Sequence, residues 1–211
     1  GSFAVVEQVV RTIAQTAVDN EKAFCELDAV AGDGDFGFSL ARGFEKVLED
    51  FATIDRKSLG AFLKRVGLII TSKSGGTTGP LWGTAFLGAG GVAGERTSLE
   101  PGDVVPIVRA AFSGIQQRGG AELGDKTLLD ALGPFIDTFE RELGSTSPRR
   151  ALASAALAAE AAARSTSELV AKRGRAAYTG ERSRGSPDPG ATAVALMLKN
   201  IAATLDPTRA S

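Results

Sequence analysis

Apolar residues recur every three or four positions through most of this chain, the spacing that places them on one face of an α-helix. In the first segment, Val6, Val9, Val10 and Ile13 share such a face. The pattern predicts about eight helices, over residues 3–24, 39–51, 59–71, 80–92, 104–115, 128–143, 148–170 and 191–205. Alternating β-branched runs bounded by tight turns are missing, so we predict an all-α fold with little or no strand.

Two helix starts carry recognisable signals. Ser98 with an early proline, Pro101, predicts a serine-capped start for the helix over 104–115. Pro148 opens an alanine-rich stretch, which we interpret as a closely packed helix because alanine is the strongest helix former and its side chain is small. The glycine and aspartate clusters fall between the predicted helices, where binding residues tend to concentrate.

Length and composition favour one globular domain. The 211 residues are 43% hydrophobic and 23% charged, so we interpret residues 1–211 as a single domain, with Gly1 and Ser2 as an expression-tag remnant.

A net charge of -1 argues against nucleic acid or an anionic membrane as partner. The charge-free stretch over residues 74–94 is too rich in glycine to span a membrane. A single cysteine, Cys25, leaves no internal disulfide, and we expect a cytoplasmic protein.

The chain contains no histidine. This absence removes the most common general base, a common metal ligand and every serine–histidine or cysteine–histidine pair. Any chemistry must therefore use carboxylates, backbone amides, lysine, arginine or a bound metal.

Three aspartates, Asp28, Asp33 and Asp35, lie within eight residues and are interleaved with glycines. Clustered carboxylates repel one another unless a cation binds them, and oxygen ligands suit Mg²⁺ or Ca²⁺. A solvated turn that caps the next helix is the alternative. The surrounding glycines also match G-x-G-x-x-G, but no strand precedes them, which excludes a dinucleotide-binding turn. An EF-hand would need glycine and glutamate where Phe38 and Phe44 stand.

Three further loops have features found in phosphate-binding sites. Residues 74–80 are small, with free amides directly before a helix, although a flexible turn would look the same. Residues 119–127 resemble a Walker A loop, but Asp125 is inserted before Lys126 and no strand precedes it, so we exclude a P-loop. Residues 173–190 offer guanidinium groups, which can complement phosphate or belong to an ordinary basic surface loop.

Taken together, four blocks resemble the L-type, ADP-binding subunit of dihydroxyacetone kinases. They are Leu27–Asp28 with Gly32–Asp35, Gly75–Leu81, Gly124–Asp130, and Arg173–Arg182 with Asp188–Thr192. The match covers nearly the whole chain in the family's order and spacing. The resemblance implies a barrel of eight antiparallel helices, with the nucleotide in loops at one end and two Mg²⁺ ions beside it.

The resemblance also implies roles for individual residues. Asp28, Asp33 and Asp35 would be the metal ligands, and Arg175 would complete the catalytic set. The nucleotide, ADP or ATP, would be bound by Phe36, Gly37, Ser39, Thr77, Thr78, Gly119, Thr127, Leu128, Arg175, Asp188, Pro189 and Gly190. Phe36 departs from the family, which often has histidine or cysteine there, so a phosphate contact at this position could come only from the backbone amide.

Function follows from the resemblance as an expectation. We expect a kinase that is silent alone and needs a K-type subunit to supply a ketose such as dihydroxyacetone, assembled as a homodimer or heterotetramer. The donor could be exchanging ATP, which Phe36 slightly favours, or resident ADP rephosphorylated by a phosphotransferase-system protein. A nucleotide-dependent binder of a transcriptional regulator is a further alternative. The related domain of fatty-acid kinases is disfavoured, because it lacks the Gly-Glu-Arg and Asp-Pro-Gly blocks.

Overall fold

The computed structural model describes residues 2–209, and within that range it contains nine α-helices and no β-strand. The predicted all-α class is therefore confirmed. Gly1, half of the proposed tag remnant, lies outside the described residues. The helices are α1 Phe3–Asp19, α2 Glu21–Asp28, α3 Phe36–Asp50, α4 Leu59–Lys73, α5 Thr78–Ala93, α6 Pro101–Gly119, α7 Leu129–Leu143, α8 Pro148–Ser165 and α9 Pro189–Thr204. Across residues 2–209, none of these helices has both the length and the apolarity to cross a bilayer.

The predicted helix over 3–24 is two helices, which accounts for the ninth. Asn20 leaves helical geometry at φ -113° and ψ 17°, and its side-chain amide donates to the carbonyl of Thr16 at 2.8 Å. Asparagine competes in this way with the helical ladder. The break separates α2, the helix that ends at Asp28, from α1.

Two further departures from the prediction concern the start of α6 and the end of α8. Ser98 is not the cap of α6: Glu100 is, because the carboxylate of Asp103 accepts the Glu100 amide at 2.8 Å and completes a capping box. Pro101 does occupy the first turn, as predicted. The alanine-rich helix ends at Ser165 rather than near residue 170, and 3-10 turns follow over Thr166–Glu168 and Arg175–Ser183.

The chain divides into two compact units. Among the described residues, unit 1 contains residues 2–21 together with Phe38–Gly120, and unit 2 contains Lys22–Gly37 and residues 121–209. Each has its own core. The single domain over residues 1–211 and the eight-helix barrel both remain predictions.

In unit 1, α4 and α5 approach each other closely through glycines. A Cβ on Gly67 would lie 2.7 Å from the carbonyl oxygen of Gly83, and a Cβ on Gly60 would lie 2.8 Å from that of Gly90. Gly60 and Gly67 are seven residues apart in α4, and Gly83 and Gly90 are seven residues apart in α5. Each pair therefore lies on one face of its helix. Glycine at these positions therefore sets the distance between α4 and α5, the helix whose start carries Thr77 and Thr78.

We expect Gly67→Ala to destabilise the protein by about 1–3 kcal/mol, because the added methyl group would overlap a backbone oxygen that cannot rotate away. Gly91→Ala is the matched control, since a Cβ there meets nothing within 4 Å and α5 should gain about 0.5–1 kcal/mol of helix propensity. Urea unfolding measures the free energy of unfolding, which should fall for Gly67→Ala and rise for Gly91→Ala. Equal effects from the two substitutions would contradict the close packing.

In unit 2, α7, α8 and α9 pack around an apolar core. Leu129, Phe135 and Phe139 from α7 are buried, and α8 contributes a face of small side chains that includes Ala151, Ala155 and Ala159. The alanines allow α8 to pack closely against the neighbouring helices α7 and α9, as the alanine-rich pattern predicted. This core supports the loops before α7 and α9, which carry several predicted site residues.

Candidate functional site

Asp28 organises the acidic loop. It is the last residue of α2, and its Oδ2 accepts hydrogen bonds from the backbone amides of Gly34 at 3.1 Å and Phe36 at 3.2 Å. A Cβ on Gly32 would lie 2.3 Å from Asp28 Oδ1, so any larger residue would displace this carboxylate from its position under the loop. The bond to the Phe36 amide also starts α3 at Phe36, three residues before the predicted start.

The three predicted aspartates come together. Asp28, Asp33 and Asp35 each offer a carboxylate oxygen, and these oxygens lie within 4.8 Å of one another. Asp28 is partly buried, whereas Asp33 and Asp35 are exposed. Oxygens at this spacing can share a divalent cation, which is the arrangement that the sequence predicted.

The pKa values of the three carboxyl groups are shifted by burial and by the charges and hydrogen bonds of their neighbours. Burial raises the pKa of Asp28, and the negative charge of Asp33 raises it further. A side-chain hydrogen bond shared with Asp33 raises the pKa of Asp35 and lowers that of Asp33. The shifts of Asp28 and Asp35 oppose ionisation of all three carboxylates together, and a bound cation would relieve that repulsion.

Arg175 reaches the cluster from the 3-10 helix Arg175–Ser183. Its Nη1 lies 2.6 Å from Asp33 Oδ2, and the arginine side chain is 76% exposed. An ion pair this exposed adds little stability. The ion pair instead fixes the position of the guanidinium beside the carboxylates. A phosphate oxygen bound there with a metal ion would need such a positive charge.

A second group of predicted residues gathers in unit 2 at the starts of α7 and α9. A Cβ on Gly190 would lie 3.4 Å from the Cβ of Leu128, so these two residues are adjacent. Pro189 begins α9, and Asp188 caps it by accepting the Ala191 amide at 2.8 Å. Burial, with the charges of Asp130 and Asp28, raises the pKa of Asp188 to about 7, against the hydrogen bond from Ala191 and the positive charge of Lys126.

Thr127 belongs to the same region. Its hydroxyl accepts the Leu129 amide at 3.2 Å. Its own amide donates to Asp130 Oδ2 at 2.9 Å, and Asp130 Oδ1 accepts the Gly124 amide at 2.6 Å. Asp130 has no role among the sequence-based predictions, although an acidic residue three positions after a threonine is the capping-box spacing that marks a helix start.

A third group of predicted residues lies in unit 1, around the first turn of α5. Thr77 precedes α5 and Thr78 begins it. Ser39 is buried, with its hydroxyl 3.6 Å from where a Cβ on Gly75 would be, and a Cβ on Gly119 would lie 3.2 Å from a methyl of Leu81. The amides of a helix's first turn lack partners within the helix, so this group can donate hydrogen bonds to an anion.

Phe36 and Gly37 stand at the start of α3. The ring of Phe36 packs against Phe24, with centroids 6.1 Å apart. Because the Phe36 amide already donates to Asp28, a phosphate at this position would compete with that carboxylate for the same N–H group.

Comparison with known proteins identifies the family of this chain. The model of the DAK2 domain matches residues 30–203. The PEP-dependent dihydroxyacetone kinase, ADP-binding subunit DhaL, of Escherichia coli (strain K12) is 40% identical over 177 residues, which are 83% of this chain and 84% of that subunit. The L-erythrulose 1-kinase of Mycolicibacterium smegmatis is 38% identical over 198 residues, 92% of this chain but 34% of that enzyme.

A solved structure shares the fold. The dihydroxyacetone kinase from C. freundii in complex with AMP-PNP and Mg²⁺ matches with a TM-score of 0.77 and 27% identity, over 95% of this chain and 34% of that one. The chain thus spans most of the E. coli subunit and about a third of the larger kinases. The family match covers both groups of unit 2 residues except Asp28, together with the predicted residues of unit 1. This chain is a member of the DAK2 domain family.

Proposed function

We propose that this chain is the nucleotide-binding, phosphoryl-donating subunit of a two-component cytoplasmic kinase, whose partner holds dihydroxyacetone or a related ketose. The observation that carries the proposal is the acidic cluster, in which three carboxylate oxygens lie within 4.8 Å in a chain of this family. The names of the relatives, an ADP-binding subunit and ketose kinases, support the nucleotide and the acceptor class.

Asp28, Asp33 and Asp35 are the proposed ligands of two Mg²⁺ ions. Three carboxylates and ADP together carry about -6, which two Mg²⁺ ions would reduce to about -2. When bound, the metal ions neutralise phosphate charge and orient the transferred group. The excess negative charge of the cluster, evident in the raised pKa values of Asp28 and Asp35, is what such ions would balance.

The protein's own groups would position the nucleotide. We propose that Arg175 and the first-turn amides at Thr77 and Thr78 bind phosphate oxygens, as do the hydroxyls of Ser39 and Thr127. Gly119, Leu128 and the Asp188–Gly190 turn would surround the rest of the nucleotide, and Phe36 and Gly37 would contribute only backbone amides. No histidine is present in the chain to activate the ketose, so the partner, a K-type subunit, would supply acceptor binding.

A mixing assay tests the division of labour. We expect dihydroxyacetone phosphate to form only when this chain is combined with a K-type dihydroxyacetone-binding subunit, and not with either protein alone. Phosphorylation by this chain alone would refute the two-component proposal. No product in any mixture would refute the kinase.

The donor is decided by two arms of the same assay. One arm supplies Mg-ATP, and the other supplies phosphoenolpyruvate with phosphotransferase-system proteins and the chain preloaded with ADP. Phe36, in place of the histidine or cysteine common in the family, favours ATP. The names of the E. coli relative, which is PEP-dependent, and of a Lactococcus lactis relative, which is PTS-dependent and 31% identical over 183 residues, favour the second donor. Product in the phosphoenolpyruvate arm, with ADP retained through dialysis, would identify resident ADP as the carrier. The assembly, a homodimer or a heterotetramer with the partner, is measured on the same mixtures by light scattering.

A further inference from the structure

Lys126 is a buried cation whose partners are main-chain carbonyls. The residue is 5% exposed, and its Nζ donates to the carbonyl oxygens of Thr166 at 2.8 Å, Ser186 at 2.5 Å and Leu169 at 3.4 Å. It comes from the sequence that resembles a Walker A loop, where a lysine would bind phosphate. Here its three donor hydrogens are used on the protein itself.

The carbonyls belong to the two ends of one loop. Thr166 and Leu169 precede the 3-10 helix Arg175–Ser183, and Ser186 follows it. Other bonds join the same ends: the Gly185 amide donates to the Ser167 carbonyl at 2.8 Å, and the Asp188 amide donates to the Thr166 hydroxyl at 2.8 Å. Residues 166–186 thus form a compact loop that is closed at its base, with Lys126 at the closure.

The body of the loop is tied to the residue next to Lys126. The Lys172 amide donates to the Asp125 carbonyl at 3.1 Å, and Arg173 Nε lies 3.2 Å from Asp125 Oδ2. Two residues further along, Arg175 contacts Asp33. A short covalent and hydrogen-bonded path therefore runs from Lys126, through the loop, to the guanidinium at the acidic cluster.

Two features of Lys126 are energetically unfavourable, which indicates a role beyond packing. It is the one non-glycine residue among those described with positive φ, at 64°. It also places an ammonium in a buried position where, within the described chain, no carboxylate lies at ion-pair distance. Apolar residues stabilise a core better than a buried charge does, and strained backbone persists mainly where position matters.

We propose that Lys126 is a positioning residue for Arg175: its ammonium closes the base of loop 166–186 and so holds the guanidinium at Asp33. This inference rests on the proposed function, in which Arg175 meets the nucleotide phosphates. Without the ammonium the carbonyls of the two ends lose their common donor, and the loop samples conformations in which Arg175 leaves the cluster.

A double-mutant cycle tests this path. We expect Lys126→Met and Arg175→Ala each to weaken Mg-ADP binding by about tenfold, the effect of one charge-assisted hydrogen bond, and the double variant to be no weaker than either single variant. Lys126→Arg should restore binding, because a guanidinium can also donate to the three carbonyls. Additive losses would show that Lys126 acts independently of Arg175 and would overturn the proposal.

Trypsin cleavage keeps the test independent of nucleotide binding. In Lys126→Met, cleavage within residues 173–184 should accelerate while the rest of the chain stays intact, and Thr166→Val, which removes the hydroxyl bond to Asp188 with little change in volume, should accelerate it as well. If Lys126→Met fails to fold, Thr166→Val alone tests the closure of the loop. Unchanged cleavage in a folded variant would overturn the loop closure. If the unmodified protein does not bind Mg-ADP, the proposed function fails, whereas the cleavage result still decides the role of Lys126 in the loop.

Discussion

Asp33→Ala is expected to weaken Mg-ADP binding by more than tenfold, or about 1.4 kcal/mol. Asp33 offers one of the three carboxylate oxygens of the acidic cluster, and it also pairs with Arg175 at 2.6 Å. Its removal would leave a metal ion with too few ligands and release the guanidinium from its position. Calorimetry of ADP binding, with and without Mg²⁺, measures the effect on the variant and the unmodified protein.

The dependence on Mg²⁺ separates ligand loss from a general charge effect. Asp19→Ala removes the same charge from an exposed position on α1, and we expect it to leave Mg-ADP affinity unchanged. Without Mg²⁺, Asp33→Ala should bind ADP no more weakly than the unmodified protein, because one repelling carboxylate is gone. An equal loss in the presence and absence of Mg²⁺ would exclude Asp33 as a metal ligand.

Helix periodicity predicted the class and most elements of this fold because the buried faces are continuous. Phe44, Val47 and Phe51, for example, repeat at helical spacing and are all buried. The errors occur where one polar side chain overrides the pattern. Asn20 divides the first helix, and Asp103 moves the cap of α6 from Ser98 to Glu100. Such competition depends on a single hydrogen bond, which a count of apolar positions does not register.

The candidate site was predictable as a set of residues but not as a geometry. Three aspartates among glycines indicate a cation site from local sequence alone, and the structure does bring Asp28, Asp33 and Asp35 together. The hydrogen bond from the Phe36 amide to Asp28, which starts α3, spans eight residues and could be identified only in the folded loop. The position of Lys126 was likewise not predictable, because its carbonyl partners are at least 40 residues away in sequence. Contacts over that separation leave no periodic signal in a single sequence.

Asp188→Asn is expected to stabilise the protein at neutral pH and to have little effect near pH 4. Burial, with nearby negative charge, raises the pKa of Asp188 from 3.8 to about 7. Between these values the unfolded chain is ionised while the folded protein keeps the proton, so the unfolded state binds fewer protons and stability falls as pH rises. Asparagine has no such ionisation, and it caps a helix about as well as aspartate.

The difference in unfolding free energy between the two proteins should therefore grow from pH 4 to pH 7 and then level off. One pKa unit corresponds to about 1.4 kcal/mol, and because Asp188 keeps some exposed surface we expect on the order of 3 kcal/mol in all. Urea unfolding at several pH values gives this difference directly, with Asp19→Asn as a control for an exposed carboxylate. A constant difference across the range would mean that Asp188 is ionised in the folded protein. The Lys126 ammonium, whose positive charge lowers the pKa of Asp188, would then be its counter-charge as well as the donor that closes loop 166–186.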